Sequence, residues 1–336
     1  MGTTPILFDD RPRAPGPSLA PVREILPRLG ISRRRLKQLE LIQIVREQRE
    51  SGKQELAFHA RPFVLCGLPL RRPASGQLTY SRHSGNFSLH IVGHPSYGLP
   101  FGQDRLIPIW VATLALRQKS RIVHFQNASE LLAFFGLCPD GYHYRRLIDA
   151  FKRIFAPTIF FGTEDQTTTR NLTDWTRFHF LDEMKLWCSP DNQDTEAGDE
   201  DPGNVITLSE AFYNEIDHHR IPVERKVVAA LAHAPGVLDF YLWLVWKSWT
   251  VNGHPARIPM VVPGGLNEQL GTTEYSLDRR FCHTIVGWLK KVKAFWPECP
   301  AVVTQDRCFL IVNSSRRSPA IRPARREDCV DTSKSA

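Results

Sequence analysis

Hydrophobic side chains recur every three or four positions in two long stretches that also carry many cations. In residues 141–155, GYHYRRLIDAFKRIF, the apolar positions are Leu147, Ile148, Phe151, Ile154 and Phe155. In residues 276–296, SLDRRFCHTIVGWLKKVKAFW, they are Phe281, Ile285, Leu289, Val292 and Trp296. This period predicts two amphipathic helices, each with a core-facing stripe and a basic face turned to solvent or to a partner.

Each basic helix is third in a similar order of predicted elements. Before the first, the pattern predicts a helix over RLIPIWVATLALRQ, a strand over RIVHF and a helix over NASELLAFFGL, and after it a hairpin from TIFFG and WTRFHFLDEMKLW. Before the second, it predicts two helices over roughly 222–250, a strand over RIPMVV and a short helix over LNEQLG, and after it the hairpin AVVTQDRCFLIV. Helix, strand, helix, helix, hairpin is the order of a winged helix. The predicted fold class is therefore α+β, with two tandem winged-helix domains that carry short antiparallel hairpins.

Two features precede this repeated order. From Ser32, SRRRLKQLELIQIVREQRES predicts a basic N-terminal helix, with Ser32 as its N-cap. Either it packs on its own domain or it forms a dimer contact or basic arm. Residues 61–103 read as a strand-rich lead-in, with strands over FVLC, LTYSR and NFSLHIV separated by Gly and Pro.

Composition along the chain predicts five segments. The acidic stretch SPDNQDTEAGDEDPG has no large apolar side chain and indicates an exposed linker, and the two chain ends are rich in Pro and Arg. The segments are a disordered leader at 1–31, an N-terminal winged-helix domain at 32–188, the acidic linker at 189–203, a C-terminal winged-helix domain at 204–315 and a basic disordered tail at 316–336.

The charge of the chain points to a polyanionic partner. The 336 residues include 43 Lys and Arg against 35 Asp and Glu, which gives a net charge of +8, and nucleic acid is the first candidate. The seven cysteines include no CxxC pair, which argues against a disulfide framework and a zinc ribbon. No signal peptide is visible, and the most apolar stretch, VLDFYLWLVW, is too short to span a membrane. A cytoplasmic protein without a membrane partner is the expectation.

The basic faces supply the candidate DNA-binding residues, because Arg suits bidentate contact with guanine and Lys suits phosphate. In the first region they are Tyr142, Tyr144, Arg145, Arg146, Lys152 and Arg153, with Arg170 in the polar loop of the first hairpin. In the second they are Arg279, Arg280, His283, Thr284, Lys290, Lys291 and Lys293. Partial burial of the two tyrosines and simple solvation of the lysines are the alternatives.

Residues 93–125, GHPSYGLPFGQDRLIPIWVATLALRQKSRIVHF, together with YRRLIDAFKRIFAPTIFFGTE, resemble the plasmid-encoded RepA family of replication proteins. SRRRLKQLELI and GLPLRRP fit the same pattern, so the resemblance covers about residues 30–315. It implies a plasmid replication initiator that binds double-stranded DNA at repeated sites of its origin and opens or marks nearby DNA. It also implies host initiator or helicase-loading proteins as partners, and a homodimer is a further expected form.

Three more cations in this passage are candidates for phosphate contact. Arg105 follows Asp104, which is expected to cap the next helix, although a purely structural turn is the alternative. Lys119 and Arg121 lie between a helix and a strand, where phosphate contact and solvation are both open.

The sequence offers little for catalysis. It has no GxxxxGK[ST] phosphate loop, and His90 and His94 are too widely spaced for the metal site of a rolling-circle nickase. The acidic run at 191–201 lacks an apolar frame for a metal site. We therefore expect no enzyme activity, no cofactor and no metal. The alternatives are a transcriptional or copy-number repressor that uses the same helices and, as an enzyme, an origin nickase or primase.

Overall fold

The computed structural model of the chain describes residues 32–85, 87–127, 129–165, 172–178, 180–185, 203–261, 264–270 and 277–315. The predicted leader, nearly all of the acidic linker and the basic tail lie outside these residues. The chain divides into two compact units, one ending at Gln43 and the other beginning at Ile44. The first contains the start of a basic helix, where the amide of Arg35 donates to the Ser32 hydroxyl at 3.3 Å, as an N-cap requires.

Ten α-helices are present in the described residues. They are α1 (Arg33–Glu50), α2 (Arg61–Leu65), α3 (Leu106–Gln118), α4 (Ser129–Phe134), α5 (Gly141–Phe155), α6 (Glu210–His219), α7 (Arg225–Leu231), α8 (Pro235–Thr250), α9 (Leu266–Gln269) and α10 (Asp278–Phe295). A 3₁₀ turn, Gly102–Arg105, leads into α3. No described helix combines the length and apolarity needed to cross a membrane.

Twelve strands accompany these helices in the described residues. They are β1 (Leu56–His59), β2 (Thr79–Ser84), β3 (Phe87–Val92), β4 (Ile122–Phe125), β5 (Thr158–Asp165), β6 (Leu172–Phe178), β7 (Leu181–Lys185), β8 (Asn204–Leu208), β9 (Ile221–Glu224), β10 (Ala256–Pro259), β11 (Ala301–Val303) and β12 (Phe309–Val312). They pair antiparallel in four sheets, of order β2–β3–β5–β6, β4–β8–β7, β1–β9 and β10–β12–β11. The α+β class with short antiparallel sheets is confirmed.

The C-terminal elements follow the predicted order. Helix α8, strand β10, short helix α9 and helix α10 precede the hairpin β11–β12. Strand β12 pairs with β11 on one side and with β10 on the other, in the register Ile258↔Leu310. The first strand of the cycle thus closes onto the hairpin in a single three-stranded sheet.

The N-terminal cycle has the same element order but a different sheet. Its hairpin β5–β6 pairs with β3 of the lead-in, whereas β4 pairs with β8, in the register Ile122↔Thr207. Strand β7, which follows β6, pairs with the other edge of β8. Strands from both sides of the predicted acidic linker therefore share one sheet, and the predicted domain boundaries stay a prediction.

Two segments differ from the sequence prediction. Residues 63–66, FVLC, were expected to form a strand, but Phe63, Val64 and Leu65 belong to α2 and are all buried. Pro62 at the start of the helix favours this outcome, because a proline fits the first helical turn. Residues 222–224 were expected to be helical but belong to β9, which pairs with β1. That strand begins as Ile-Pro-Val, which has the β-branched side chains that favour strands.

Close packing against α8 fixes the position of α10. A β-carbon at Gly236, in the first turn of α8, would lie 2.3 Å from the ring of Trp288, so only glycine allows this approach. The other end of α10 is held by Arg49, whose guanidinium donates to the carbonyl of Phe295 at 2.5 Å and pairs with Glu224 at 2.8 Å. The helix is therefore held near its middle and at its C-terminal end, with its outer face uncovered by these contacts.

A buried ion pair joins the GLPFGQDR passage to helix α8. The guanidinium of Arg105 pairs with Asp239 of α8, and the two side chains are 2% and 5% exposed. It also donates to the carbonyl oxygens of Leu68, at 3.1 Å, and Pro69, at 2.8 Å. A β-carbon at Gly67 would lie 2.8 Å from the Asp239 carboxylate, so this glycine permits the close approach.

His59 is a buried histidine on which the positive charge of Arg105 acts electrostatically. It is 2% exposed, stacks on Phe63 and has no hydrogen-bond partner for Nδ1. Burial, assisted by the positive charge of Arg105, lowers the pKa of His59 from 6.5 to about 3. The imidazole is therefore neutral in the folded protein at any moderate pH.

This burial predicts a loss of stability in mild acid. The unfolded histidine takes up a proton below about pH 6.5 and the folded one does not, so stability is complete above that pH and falls as the pH is lowered toward 3. Between pH 7 and pH 5, His59 should account for about 2 kcal/mol of lost unfolding free energy. Urea unfolding of the wild type, His59→Gln and His59→Phe at both pH values measures this. Equal pH dependence in all three proteins would contradict it.

Candidate nucleic-acid interface

The outer face of α10 is a continuous basic surface. Its inner face is buried. It contains Phe281, Ile285, Leu289 and Val292, as the hydrophobic period predicted, and also Trp288 and Phe295. The cations Arg279, Arg280, Lys290 and Lys291 are exposed, and so is His283, whereas Thr284 and Lys293 are half-buried. After Asp278 the helix contains no acidic residue. This face therefore presents positive charge along nearly the whole helix, which is about 27 Å long at 1.5 Å per residue.

The N-terminal half of this surface is concave. Arg279, Arg280, His283, Thr284 and Arg307 line an open hollow of about 420 Å³. Arg307 comes from the β11–β12 turn and has φ = 58°, a left-handed conformation that arginine rarely adopts. The turn holds it there, because the amide of Arg307 donates to the carbonyl of Thr304 at 2.9 Å.

Two exposed arginines of the C-terminal sheet were not among the sequence candidates. Arg307 lies in the β11–β12 turn and lines the hollow, and Arg257 lies in β10, inside an apolar strand pattern. The guanidinium of Arg257 lies 3.8 Å from the ring centroid of Phe309. The exposed position of Arg257 on its strand was the one available signal, because strand side chains alternate between the two faces of a sheet.

Helix α5 presents a smaller basic surface. Asp140 caps its N-terminus by accepting from the amide of His143 at 2.8 Å, and this hydrogen bonding lowers the pKa of Asp140. Tyr142 is 65% exposed and Arg145 is exposed, whereas Tyr144 is half-buried. Arg145 also bonds the carbonyl of Gly141 weakly, at 3.3 Å. The exposed residues are therefore available to a partner at the start of the helix.

One cation of α5 is bound within the fold and a second is half-buried. Arg153 forms two bonds to Asp104, at 2.7 and 3.1 Å, and lies over the ring of Phe101. Arg146 is half-buried, and its guanidinium lies 4.0 Å from the point where a β-carbon on Gly102 would be. Lys152 is exposed and lies over the ring of Tyr97, which is 44% exposed. The outward charge of α5 therefore reduces mainly to Arg145 and Lys152, with Asp149 exposed between them.

The remaining candidates differ in availability. Arg105 is buried and fully engaged with Asp239 and backbone carbonyls, so it cannot reach a phosphate, and the structural alternative for this residue applies. Lys119 is exposed at the left-handed C-cap of α3. Arg121 is 46% exposed but pairs with Asp182 at 2.7 Å. Arg170 lies outside the described residues.

Titratable groups add little further chemistry to these surfaces. In the part of the chain that the structure describes, no three His, Cys, Asp or Glu side chains are grouped to hold a metal ion.

Arg145 and Arg153 provide a contrast on one helix. Arg153→Ala leaves the buried Asp104 without its partner and should lower the unfolding free energy by about 3 kcal/mol. Arg145→Ala should leave stability within about 0.5 kcal/mol of wild type, and should cost about 1 to 3 kcal/mol of DNA affinity if the side chain reads a base. Urea unfolding and DNA titration of both variants check this. Equal stability of the two would contradict the assigned roles.

Comparison with known proteins adds a family match. A family model described as plasmid-encoded RepA protein matches residues 139–260, a range that includes α5 and β10 and ends before α10. None of the curated proteins compared with the chain is detectably similar to it.

Two solved structures resemble the chain at low identity. The crystal structure of RctB domains 2–3, RctB-155-483, is 13% identical with a TM-score of 0.45, and the match covers 68% of this chain and 82% of that one. The selenomethionine derivative of RctB domains 2 and 3 is 12% identical with a TM-score of 0.47, and the match covers 69% and 85%. The family to which the sequence passages pointed is the one that the family model identifies. Residues 139–260 of this chain are therefore similar to the plasmid-encoded RepA proteins.

Proposed function

We propose that this protein is a plasmid replication initiator that binds double-stranded DNA at its origin, at repeated sites, through two winged-helix units. The family match supports the role in replication. The observation that carries the DNA-binding part is the outer face of α10, where four exposed cations and the exposed His283 follow one another without an intervening acid. A helix of this length fits the major groove, and the positive charge replaces the counterions of the phosphates.

The C-terminal unit supports this proposal through its arrangement. The hairpin β11–β12 closes onto β10 beside α10, so Arg307 in its turn flanks the helix as a wing would. Arginine at the tip of such a turn suits contact with the DNA backbone next to the groove.

The first unit contributes a second contact through α5. Tyr142 and Arg145 are exposed at its start, and Lys152 is exposed toward its end. Tyr97, next to Lys152, adds an exposed aromatic edge on the same side. Two contacts in one chain suit an origin site longer than one helix can read.

We propose binding and deformation of the duplex as the work of the protein, with host initiator or helicase-loading proteins recruited afterwards and no catalysis of its own. A repressor role at its own promoter would use the same helices. Nicking of supercoiled origin DNA in the presence of Mg²⁺ would contradict the non-catalytic part of the proposal.

The central experiment compares specific with non-specific binding. Fluorescence anisotropy of the protein with an origin duplex and with a scrambled duplex of equal length should show preference for the origin by a factor of about 10³ or more at moderate salt. Equal affinities for the two duplexes, both falling steeply with salt, would mean that the basic face provides only electrostatic attraction and would overturn the proposal.

The lysines of α10 predict a change in salt dependence. If Lys290 and Lys291 contact phosphates, Lys290→Ala and Lys291→Ala should each flatten the plot of log affinity against log salt by about 0.9. Lys53→Ala is the control, because Lys53 is equally exposed but lies in the turn after α1. The same slope in all four proteins, wild type included, would remove the two lysines from the interface.

A further inference from the structure

The centre of α10 contains a glycine that the fold itself does not need. Gly287 is the tenth residue of an 18-residue helix, where glycine is the least favourable residue apart from proline. A β-carbon at this position would meet no heavy atom within 4 Å. Within the described residues, nothing therefore explains why the side chain is missing.

Gly236 is a glycine of the same chain whose missing side chain is explained by packing inside the protein. It lies in the adjacent helix α8, and a β-carbon there would collide with Trp288 at 2.3 Å. In that helix, glycine allows another part of the protein to come close. At Gly287 no described residue occupies the corresponding space, which leaves room for a group of another molecule.

The neighbours of Gly287 identify the chemistry of that molecule. On a helix surface, a residue is surrounded by those three and four positions away. For Gly287 these are His283, Thr284, Lys290 and Lys291, of which three are exposed and basic. The glycine is thus the centre of the basic face, and the group that approaches it belongs to a polyanion.

Helix α5 lacks this arrangement. Its outward face has Asp149 between Arg145 and Lys152, and a carboxylate there repels phosphate. Arg153 is bound to Asp104 and is not free to follow a groove. The two basic helices of the protein are therefore not equivalent.

We infer that Gly287 is the point at which α10 comes closest to the DNA, so that α10 lies deepest in the major groove and reads bases, while α5 positions the protein on the backbone. This inference rests on the proposed function. The missing side chain lets the helix backbone approach the base edges, and Arg280 and His283 on one side and Lys290 and Lys291 on the other then span the groove.

The experiment uses full-length protein with Gly287→Ala and Gly287→Gln. Both replacements favour the helix, so the midpoint of urea unfolding should rise. The affinity for an origin duplex should nevertheless fall, about ten-fold or more for alanine and further for glutamine, while the affinity for a scrambled duplex changes by less than about two-fold. A gain in stability together with a loss of specific binding distinguishes close approach from damage to the fold.

Asn214→Ala is the matched control. Asn214 is exposed in the middle of α6, so alanine should also raise the urea midpoint, with no change in affinity for either duplex. Wild-type affinity of Gly287→Ala for the origin would overturn the inference and leave the proposed function intact. Failure of the wild type itself to prefer the origin would overturn the proposed function, and this inference with it.

Discussion

The buried ion pair between Arg105 and Asp239 is the constraint on which the arrangement of both basic helices depends. Charges this deeply buried are tolerated only when they are paired and hydrogen-bonded, and Arg105 meets that condition with Asp239 and three carbonyl oxygens. The residue before it, Asp104, holds Arg153 of α5. Two consecutive residues thus connect α5 to α8, and α8 in turn packs against α10 through Gly236.

This connection gives the charged residues of the GLPFGQDR passage a structural role. In GLPFGQDR, Asp104 and Arg105 are 2% exposed, and their charges are used inside the protein. Burial raises the pKa of Asp239 and the charge of Arg105 opposes that effect, so removing either partner would leave an expensive unpaired group. The charged pair Asp104 and Arg105 therefore maintains the arrangement of the two basic helices from inside the protein.

The two basic helices differ in how far their cations are engaged inside the protein. On α5, Arg153 is paired with Asp104 and Arg146 is half-buried. On α10, the exposed cations lie on the face opposite to the buried one that packs into the protein. Because α10 is held at one end by Arg49 and near its middle by Trp288 against Gly236, its outer face can be rigid without being covered. A rigid, uncovered basic face is what base reading in a groove requires.

The sequence by itself determined the bounds of α5 and α10, their buried stripes, the α+β class and the family match, because these follow from local hydrophobic period and from contiguous motifs. Only the tertiary structure decided which cations face outward. The hydrophobic period shows that Arg145 and Arg153 are not on the apolar stripe. It cannot show that Arg153 forms an ion pair with Asp104, which lies 49 residues earlier in the chain. Sheet partners such as β4 and β8 were undetermined for the same reason: pairing depends on long-range contacts, and a short strand pattern fits many partners.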